Sequence, residues 1–426
     1  MQHETLWVAL AEALGARSPY LKPLLQAFGT PEAIFAADEQ ALLAAVPTLG
    51  RGTLAALLRG HARERAAKIV RWCHMNRVRI LTMDAPEYPK RLLDIDEPPA
   101  VLYCRGNLSV LNAPLTVGVV GTRKPDVYGV RVAYKLSFEL AAAGAVIVSG
   151  MADGLDGVAA AAAINAGSAT VAVFGSGIDI IYPKSRTKLS REIAEHGVMV
   201  TEYAPGTRPF GHNFPVRNRI ISALSGAVLI AEAGETSGAL ITARYAITQG
   251  KPLFAVPGDI TAARSAGTNQ LVADGVTPVS CTEDVLRPLR FLYHDCVQEQ
   301  ALREAMQYSE LSEQALRPFG MRDITALLQD GAREQEKVTS AEPKASHKGK
   351  TRKSVPAAQE RVRSAPDLSM LDAQQKTVYE NLPDGAFSVD ALTERGIPVG
   401  EAAAALTLLE VYGLVCSRPG GLFEKL

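Results

Sequence analysis

Leu115-Thr116-Val117-Gly118-Val119-Val120-Gly121-Thr122-Arg123-Lys124-Pro125 is the stretch on which the reading of this chain turns. Its first six residues form an apolar run rich in β-branched side chains, and the next four supply a glycine, a hydroxyl and two cations. A run without polar alternation fits a strand buried on both faces, as in parallel sheets layered between helices. The loops at the carboxyl ends of such strands form the ligand crevice, which puts Gly121 to Lys124 where a ligand binds. A helical stretch to Ala143 follows, then Ala145–Ser149 as a strand, and further strand candidates at Thr170–Phe174, Val198–Thr201, Ala227–Ala231 and Pro252–Val256, with helical patterns between them.

Outward from this core the pattern changes. Residues up to about Asn76 read as short helices, one of them capped by Thr30 and started by Pro31. The turn Val46-Pro47-Thr48-Leu49-Gly50-Arg51-Gly52 is open to two readings: a helix-hairpin-helix gripping DNA phosphates through backbone N–H groups, or a plain turn of a helical bundle. Between Val78 and Leu108, Pro86, Pro89, Pro98 and Pro99 break any helix, and Ala100-Val101-Leu102-Tyr103 extends the sheet. A polar helical pattern from Gln300 to Asp330 gives way to Lys337–Pro366, whose Lys, Ser, Ala and Pro content buries no core and is expected to be disordered. From Leu368 onward, apolar residues at helical spacing precede a hairpin pattern over Gly413–Phe423, which together spell a winged helix. Its candidate groove-reading helix, Val399 to Leu409, carries Glu401 but no Arg or Lys, so a protein-interaction or structural role is expected rather than duplex reading.

The fold expected is therefore α/β: an extended Rossmann-like core with a mostly parallel sheet, a small N-terminal helical domain of the SAM or helix-hairpin-helix kind, and a C-terminal winged-helix domain. The boundaries expected are 1–76 for the helical domain, 77–290 for the extended Rossmann-like core, 291–367 for a helical tail and basic disordered linker, and 368–426 for the winged helix. A chain of 426 residues with 47% hydrophobic content has ample core for this. No apolar run is long enough to span a membrane and no signal peptide is apparent, so the cytoplasm is the expected compartment. The five cysteines are odd in number and lack Cys-x-x-Cys spacing, which indicates neither a disulfide framework nor a zinc site. A formal net charge of zero argues against a uniformly basic nucleic-acid binder, although Lys337, Lys344, Lys348, Lys350, Arg352, Lys353, Arg361 and Arg363 cluster in the linker.

The candidate chemistry gathers at strand ends. Gly121, Thr122, Arg123 and Lys124 aim backbone N–H groups, a hydroxyl and two cations at one spot, and the following helix is expected to add its positive dipole end. The stretch is neither a dinucleotide fingerprint nor a Walker loop. Ser149 and Gly150, Gly175-Ser176-Gly177, and Ser237-Gly238 within Glu232–Ala239 are further strand-end turns where a ligand backbone can come close. Arg217 and Arg219 add charge at the start of another helix, and Phe214 offers a flat face on which a base stacks for roughly 1–3 kcal/mol regardless of sequence. Convergence of these groups points to a phosphate-backbone polymer more than to a small cofactor. Asp153, Asp156, Glu202, Glu232 and Glu235 form no recognisable catalytic unit, and Asp153 and Asp156 read as helix caps. Neither metal nor cofactor is called for.

These residues resemble the bacterial DNA-processing DprA (Smf) family. The likeness is carried by Gly121-Thr122-Arg123-Lys124-Pro125, Val148-Ser149-Gly150-Met151-Ala152, Gly154-Leu155-Asp156, Tyr182-Pro183, Phe214-Pro215-Val216-Arg217-Asn218-Arg219, Ser237-Gly238-Ala239 and Val256-Pro257-Gly258. It implies a non-enzymatic, sequence-independent binder of single-stranded DNA that protects the strand and loads a RecA-type recombinase during DNA uptake, natural transformation or recombination. It also implies a homodimer through the Rossmann-like domain, with single-strand-binding protein as a further partner. By position, Arg123 and Lys124 would hold phosphate, Phe214 would stack a base, Arg217 would add charge, and Asn218 and Arg219 would brace the loop. Ala160 and Arg186 depart from the family's usual His and Asn. The alternative reading is a nucleotide-binding or phosphoribohydrolase-like enzyme on a related fold, though no carboxylate sits on the helix after Gly238 where that chemistry wants one.

Overall fold

The computed structural model describes residues 2–339 and, with gaps, residues 373–425. Of the stretch 337–366 expected to be disordered, residues 337–339 instead end helix Arg322–Thr339, and 340–366 lie outside the described residues, as do positions 399–401, 403, 404 and 407 of the expected groove-reading helix.

Six α-helices between Gln2–Leu14 and His61–Met75 open the chain. Thr30 caps the third of them, its Oγ1 accepting the Ala33 N–H at 3.3 Å with Pro31 in the first turn. Nine strands follow: β1 (Arg79–Thr82), β2 (Val101–Gly106), β3 (Thr116–Val120), β4 (Val146–Ser149), β5 (Thr170–Val173), β6 (Val198–Thr201), β7 (Ala227–Ile230), β8 (Leu253–Ala255) and β9 (Thr277–Pro278). They form one sheet in the order β1-β2-β6-β5-β4-β3-β7-β8-β9. From β6 to β9 every pairing is parallel, whereas β1 and β2 are added antiparallel at the β6 edge.

The β-branched runs become strands because both faces of the sheet are covered. Val117, Val119 and Ile147 pack with Leu136, Leu140, Ala159 and Ala163 of helices Val127–Ala142 and Leu155–Asn165. Val120 and Val148 point the other way, into Ile220, Ile221 and Leu224 of helix Asn213–Leu224 and Ala243 of helix Ala239–Thr248. This period of two is what a pleated strand buried on both sides produces. The chain runs from β3 to β4 on one side and returns to β7 on the other. Strand order thus reverses between β3 and β7, and a crevice opens at their carboxyl ends.

After β9 the chain turns back over the core. Phe319, Met321, Ile324 and Leu328 share one hydrophobic cluster with Leu155, Leu189 and the N-terminal Trp7 and Leu10. Residues Met1–Pro343 make one compact unit and Lys344–Leu426 another. In the second, Val378, Leu382, Leu392, Leu406 and Leu409 form a core beside a three-stranded antiparallel sheet. Its hairpin pairs Val415–Arg418 with Leu422–Lys425, as the winged-helix pattern requires. Among the described residues no helix is long and apolar enough to cross a membrane.

Candidate nucleic-acid interface

A cleft of about 620 Å³ occupies the crevice at the ends of β3 and β7. Its first wall is the turn after β3. The Thr122 N–H donates to the Glu232 carbonyl at 2.8 Å, tying the two strand ends together, and the Leu155 N–H donates to the Thr122 carbonyl at 3.2 Å. Gly154 has φ +75°, and a Cβ there would collide with the Thr122 carbonyl and stand 2.8 Å from the Arg123 Cα. With the backbone fixed in this way, Arg123 and Lys124 project into solvent and form no ion pair among the described residues. The Thr122 hydroxyl oxygen accepts the Lys124 N–H at 3.2 Å, leaving its own proton for a ligand.

The second wall is helix Asn213–Leu224, whose Phe214, Arg217, Asn218 and Ile221 line the cleft. Spacings of three, four and seven put them on one face. Phe214 is half-buried, with the Arg123 guanidinium 5.1 Å and that of Arg217 5.7 Å from its ring centre. The Tyr182 ring lies 5.5 Å away, tilted by 39°. Two aromatic faces and an exposed cation therefore meet at one point.

Arg217 differs from Arg123 in being buried. Its Nη1 donates to the Gly150 carbonyl at 2.8 Å and also to the Val173 carbonyl, joining the ends of β4 and β5 beneath the cleft. Burial pulls its pKa down to about 10, while Asp156 opposes that shift, so Arg217 keeps its charge at neutral pH. Asp156 is the one carboxylate among the described lining residues. Its own pKa is raised by burial, against the pull of Arg217, the Ala152 N–H and Arg123.

The third wall is Thr236-Ser237-Gly238, leading into helix Ala239–Thr248, with the Ser237 Oγ accepting the Ala239 N–H at 3.3 Å. This helix turns its N-terminus to the cleft. The helix after Lys124, expected to do so, starts only at Val127, and the Asp126 carboxylate caps it by accepting the Gly129 N–H at 2.8 Å. A negative cap cancels much of the dipole that the sequence pattern assigned to that turn.

The remaining sequence candidates divide. Gly150, Gly175 and Ser176 line a small side pocket that shares Arg123, Tyr182 and Phe214 with the main cleft. Ser149, Gly177 and Arg219 line neither. The buried Ser149 hydroxyl donates to the Val119 carbonyl at 2.7 Å, and the Gly177 N–H donates to Thr207 O at 2.9 Å. Arg219 is locked to Glu202 by two bonds of 2.6 and 2.7 Å, both side chains being buried. Sequence reasoning did not single out Tyr182, Thr236 or Thr242 as cleft residues. An aromatic in the loop after β5, another strand end of the same crevice, is the signal that would have found Tyr182. Glu192, Glu195 and His196 bring metal-type atoms within 4.8 Å of one another, but none of the three lines the cleft.

A family model described as DNA recombination-mediator protein A matches residues 79–290, and one for the DprA winged helix domain matches 361–421. Protein Smf of Synechocystis is 30% identical over 428 residues, covering 99% of this chain and 98% of its own length. The chain belongs to the DprA/Smf family. DNA processing protein DprA of Bacillus subtilis is 38% identical over half of this chain and 71% of its own length. The X-ray structure of DprA from Streptococcus pneumoniae aligns with a TM-score of 0.54 at 30% identity, over 66% of this chain and 95% of that one. Of the two departures from the DprA/Smf pattern, Ala160 is buried in helix Leu155–Asn165 and Arg186 is buried beside Gly157, its Nε 3.2 Å from where a Cβ on that glycine would stand.

Proposed function

We propose that this chain binds single-stranded DNA without sequence preference, protects it, and loads a RecA-type recombinase onto it during DNA uptake, natural transformation or recombination in the cytoplasm. The observation that carries the reading is the meeting of two exposed cations, Arg123 and Lys124, without an ion pair among the described residues, with the Phe214–Tyr182 ring pair in one open cleft. Cations hold phosphates of any sequence, and aromatic faces stack any base. In this reading a base takes the place of the Arg123 guanidinium on Phe214, and Arg123 swings to the neighbouring phosphate. Arg217 and Asn218 form the floor, Ser237 and Gly238 the far wall, and Arg219 braces the helix through Glu202.

The names borne by the family model and by the Bacillus subtilis relative, a DNA recombination mediator and a DNA processing protein, support the same direction. Homodimerisation through the Rossmann-like region, a single-strand-binding protein as partner, and the domain boundaries at 76, 290 and 367 belong to the same proposal. Anisotropy titration of labelled oligo-dT at two salt concentrations tests the binding step; affinity no greater than for a duplex competitor removes it. Recombinase loading is tested by filament assembly on strand precoated with single-strand-binding protein, and no acceleration by this chain removes that step.

A second reading rests on Asp156, a buried carboxyl with a raised pKa inside the cleft, which is where a general acid would sit. Against it stands the geometry around Asp156, held by Arg217 and the Ala152 N–H as a structural partner. Release of ribose phosphate from nucleoside monophosphates by the pure protein, abolished in Asp156→Asn, would favour the enzyme.

A further inference from the structure

Next to the cleft runs a second groove of about 780 Å³, and the two share Arg123 and Lys124 as a common wall. Its other cations are Lys184, Lys188 and Arg322, all exposed and without an ion pair among the described residues. Its two acids, Asp153 and Asp323, are both engaged. The Ser185 hydroxyl donates to Asp153 at 3.1 Å. Arg186, fully buried, donates to both oxygens of Asp323 at 2.9 and 2.7 Å and lies 3.4 Å from Asp153. Burial disfavours the Asp323 carboxylate, but the Arg186 bonds outweigh it and hold the pKa below its ordinary value, so the pair stays ionised.

This pair has a mechanical consequence. Arg186 stands at the head of helix Thr187–His196, and Asp323 belongs to helix Arg322–Thr339, 137 residues further on. Phe319, Met321 and Ile324 are buried on either side of Asp323, so the segment is both packed and charge-locked onto the core. Locking it there holds Arg322 in the lining of the groove that Arg123 and Lys124 also line. The Lys188 stem covers Gly320, approaching to 3.1 Å of where a Cβ would stand, which leaves its ammonium group at the rim.

We propose that this groove is a second strand-binding site, into which single-stranded DNA continues from the aromatic cleft over Arg123 and Lys124, with Lys184, Lys188 and Arg322 as its phosphate contacts. The groove has no aromatic lining, so it holds backbone and not bases. The proposal rests on the single-strand reading of the cleft. It predicts that affinity grows with strand length until both sites are filled.

The test uses the full chain and two labelled oligo-dT probes, one of about four nucleotides and one of about twenty. In Lys188→Gln/Arg322→Gln, the long probe should lose roughly tenfold in affinity or more, and its log K against log salt slope should become shallower by about 0.7 for each lost contact. The short probe should bind within about twofold of wild type, and an unchanged thermal midpoint shows that the fold is intact. Equal affinity of variant and wild type for the long probe overturns the second site and leaves the cleft reading standing. Equal weakening of both probes also overturns it, because the cations would then act on the cleft itself. If wild type binds neither probe, the cleft reading fails first, and the groove with it.

Discussion

Arg123 and Arg217 approach the same phenylalanine ring, yet burial gives them different tasks. Arg217 spends its hydrogen bonds on the Gly150 and Val173 carbonyls, whereas Arg123 keeps its own for a ligand. Arg123→Ala should therefore lower oligo-dT affinity by about tenfold or more and flatten the salt dependence by about 0.7 per contact, without moving the melting temperature. Titrations at several salt concentrations check this, and unchanged affinity would remove Arg123 from the site. Glu232, whose carbonyl anchors Thr122, makes a different prediction. Burial and the neighbouring Asp126 push its carboxyl from 4.5 up to about 7, against the Asp126 N–H and Arg264. The folded chain thus holds this proton more tightly than the unfolded chain, so the contribution to stability is complete below 4.5 and is lost as the pH rises towards 7. Glu232→Gln should remove that loss, on the order of 1–3 kcal/mol, and melt less pH-dependently between about pH 5 and 8. Parallel melting curves for variant and wild type across that range would refute the assignment.

At the level of elements, what the sequence discloses is periodicity and what it withholds is partnership. The parallel strands are legible because β-branched runs buried on both faces have no other soluble arrangement, and β3 to β8 fall within a residue or so of their expected ends. The cleft face of helix Asn213–Leu224 is legible for the same reason, since Phe214 and Arg217 are three residues apart. Arg219 reads as an equal candidate from charge alone. The family resemblance implies that it braces the loop, and the fold supplies the partner, Glu202 just after β6. The Arg186–Asp323 lock is likewise a contact made by folding that no local pattern announces, whereas the Asp126 cap is local and an Asp directly ahead of a helix is its signal. Turns lie between these extremes, because glycine marks them without saying why. Gly154 and Gly167 both have positive φ, but a Cβ on Gly154 meets the Thr122–Arg123 backbone while one on Gly167 meets nothing within 4 Å. Gly167→Ala should cost about 1 kcal/mol from φ alone and leave binding intact. Gly154→Ala should cost about 2 kcal/mol or more, and the surviving folded protein should bind oligo-dT several-fold more weakly because Arg123 is displaced. Denaturant unfolding and anisotropy on the same samples separate the two effects; equal costs with unchanged binding would show that the turn does not set Arg123.

For the whole molecule, the distribution of cores decides what can be removed. The N-terminal helices, the sheet and the returning segment up to Leu328 share hydrophobic clusters, so Trp7, Leu155 and Phe319 stabilise one another across more than 300 residues of chain. The C-terminal unit has a separate core around Val378, Leu392, Leu406 and Leu409. Both the cleft and the groove beside it are built wholly from residues of Met1–Pro343. A chain ending at Asp367 should therefore keep the melting transition of the larger unit, and its oligo-dT affinity should stay within about twofold of the full chain. Calorimetry and anisotropy on the two chains are the check. Loss of the larger unit's transition would mean that the cores are energetically coupled, and a tenfold loss of affinity with that transition intact would place a strand contact in the winged helix or the basic stretch before it. Retained affinity combined with lost recombinase loading would instead assign the C-terminal unit to a protein partner, the role that a groove-reading helix without Arg or Lys suits best.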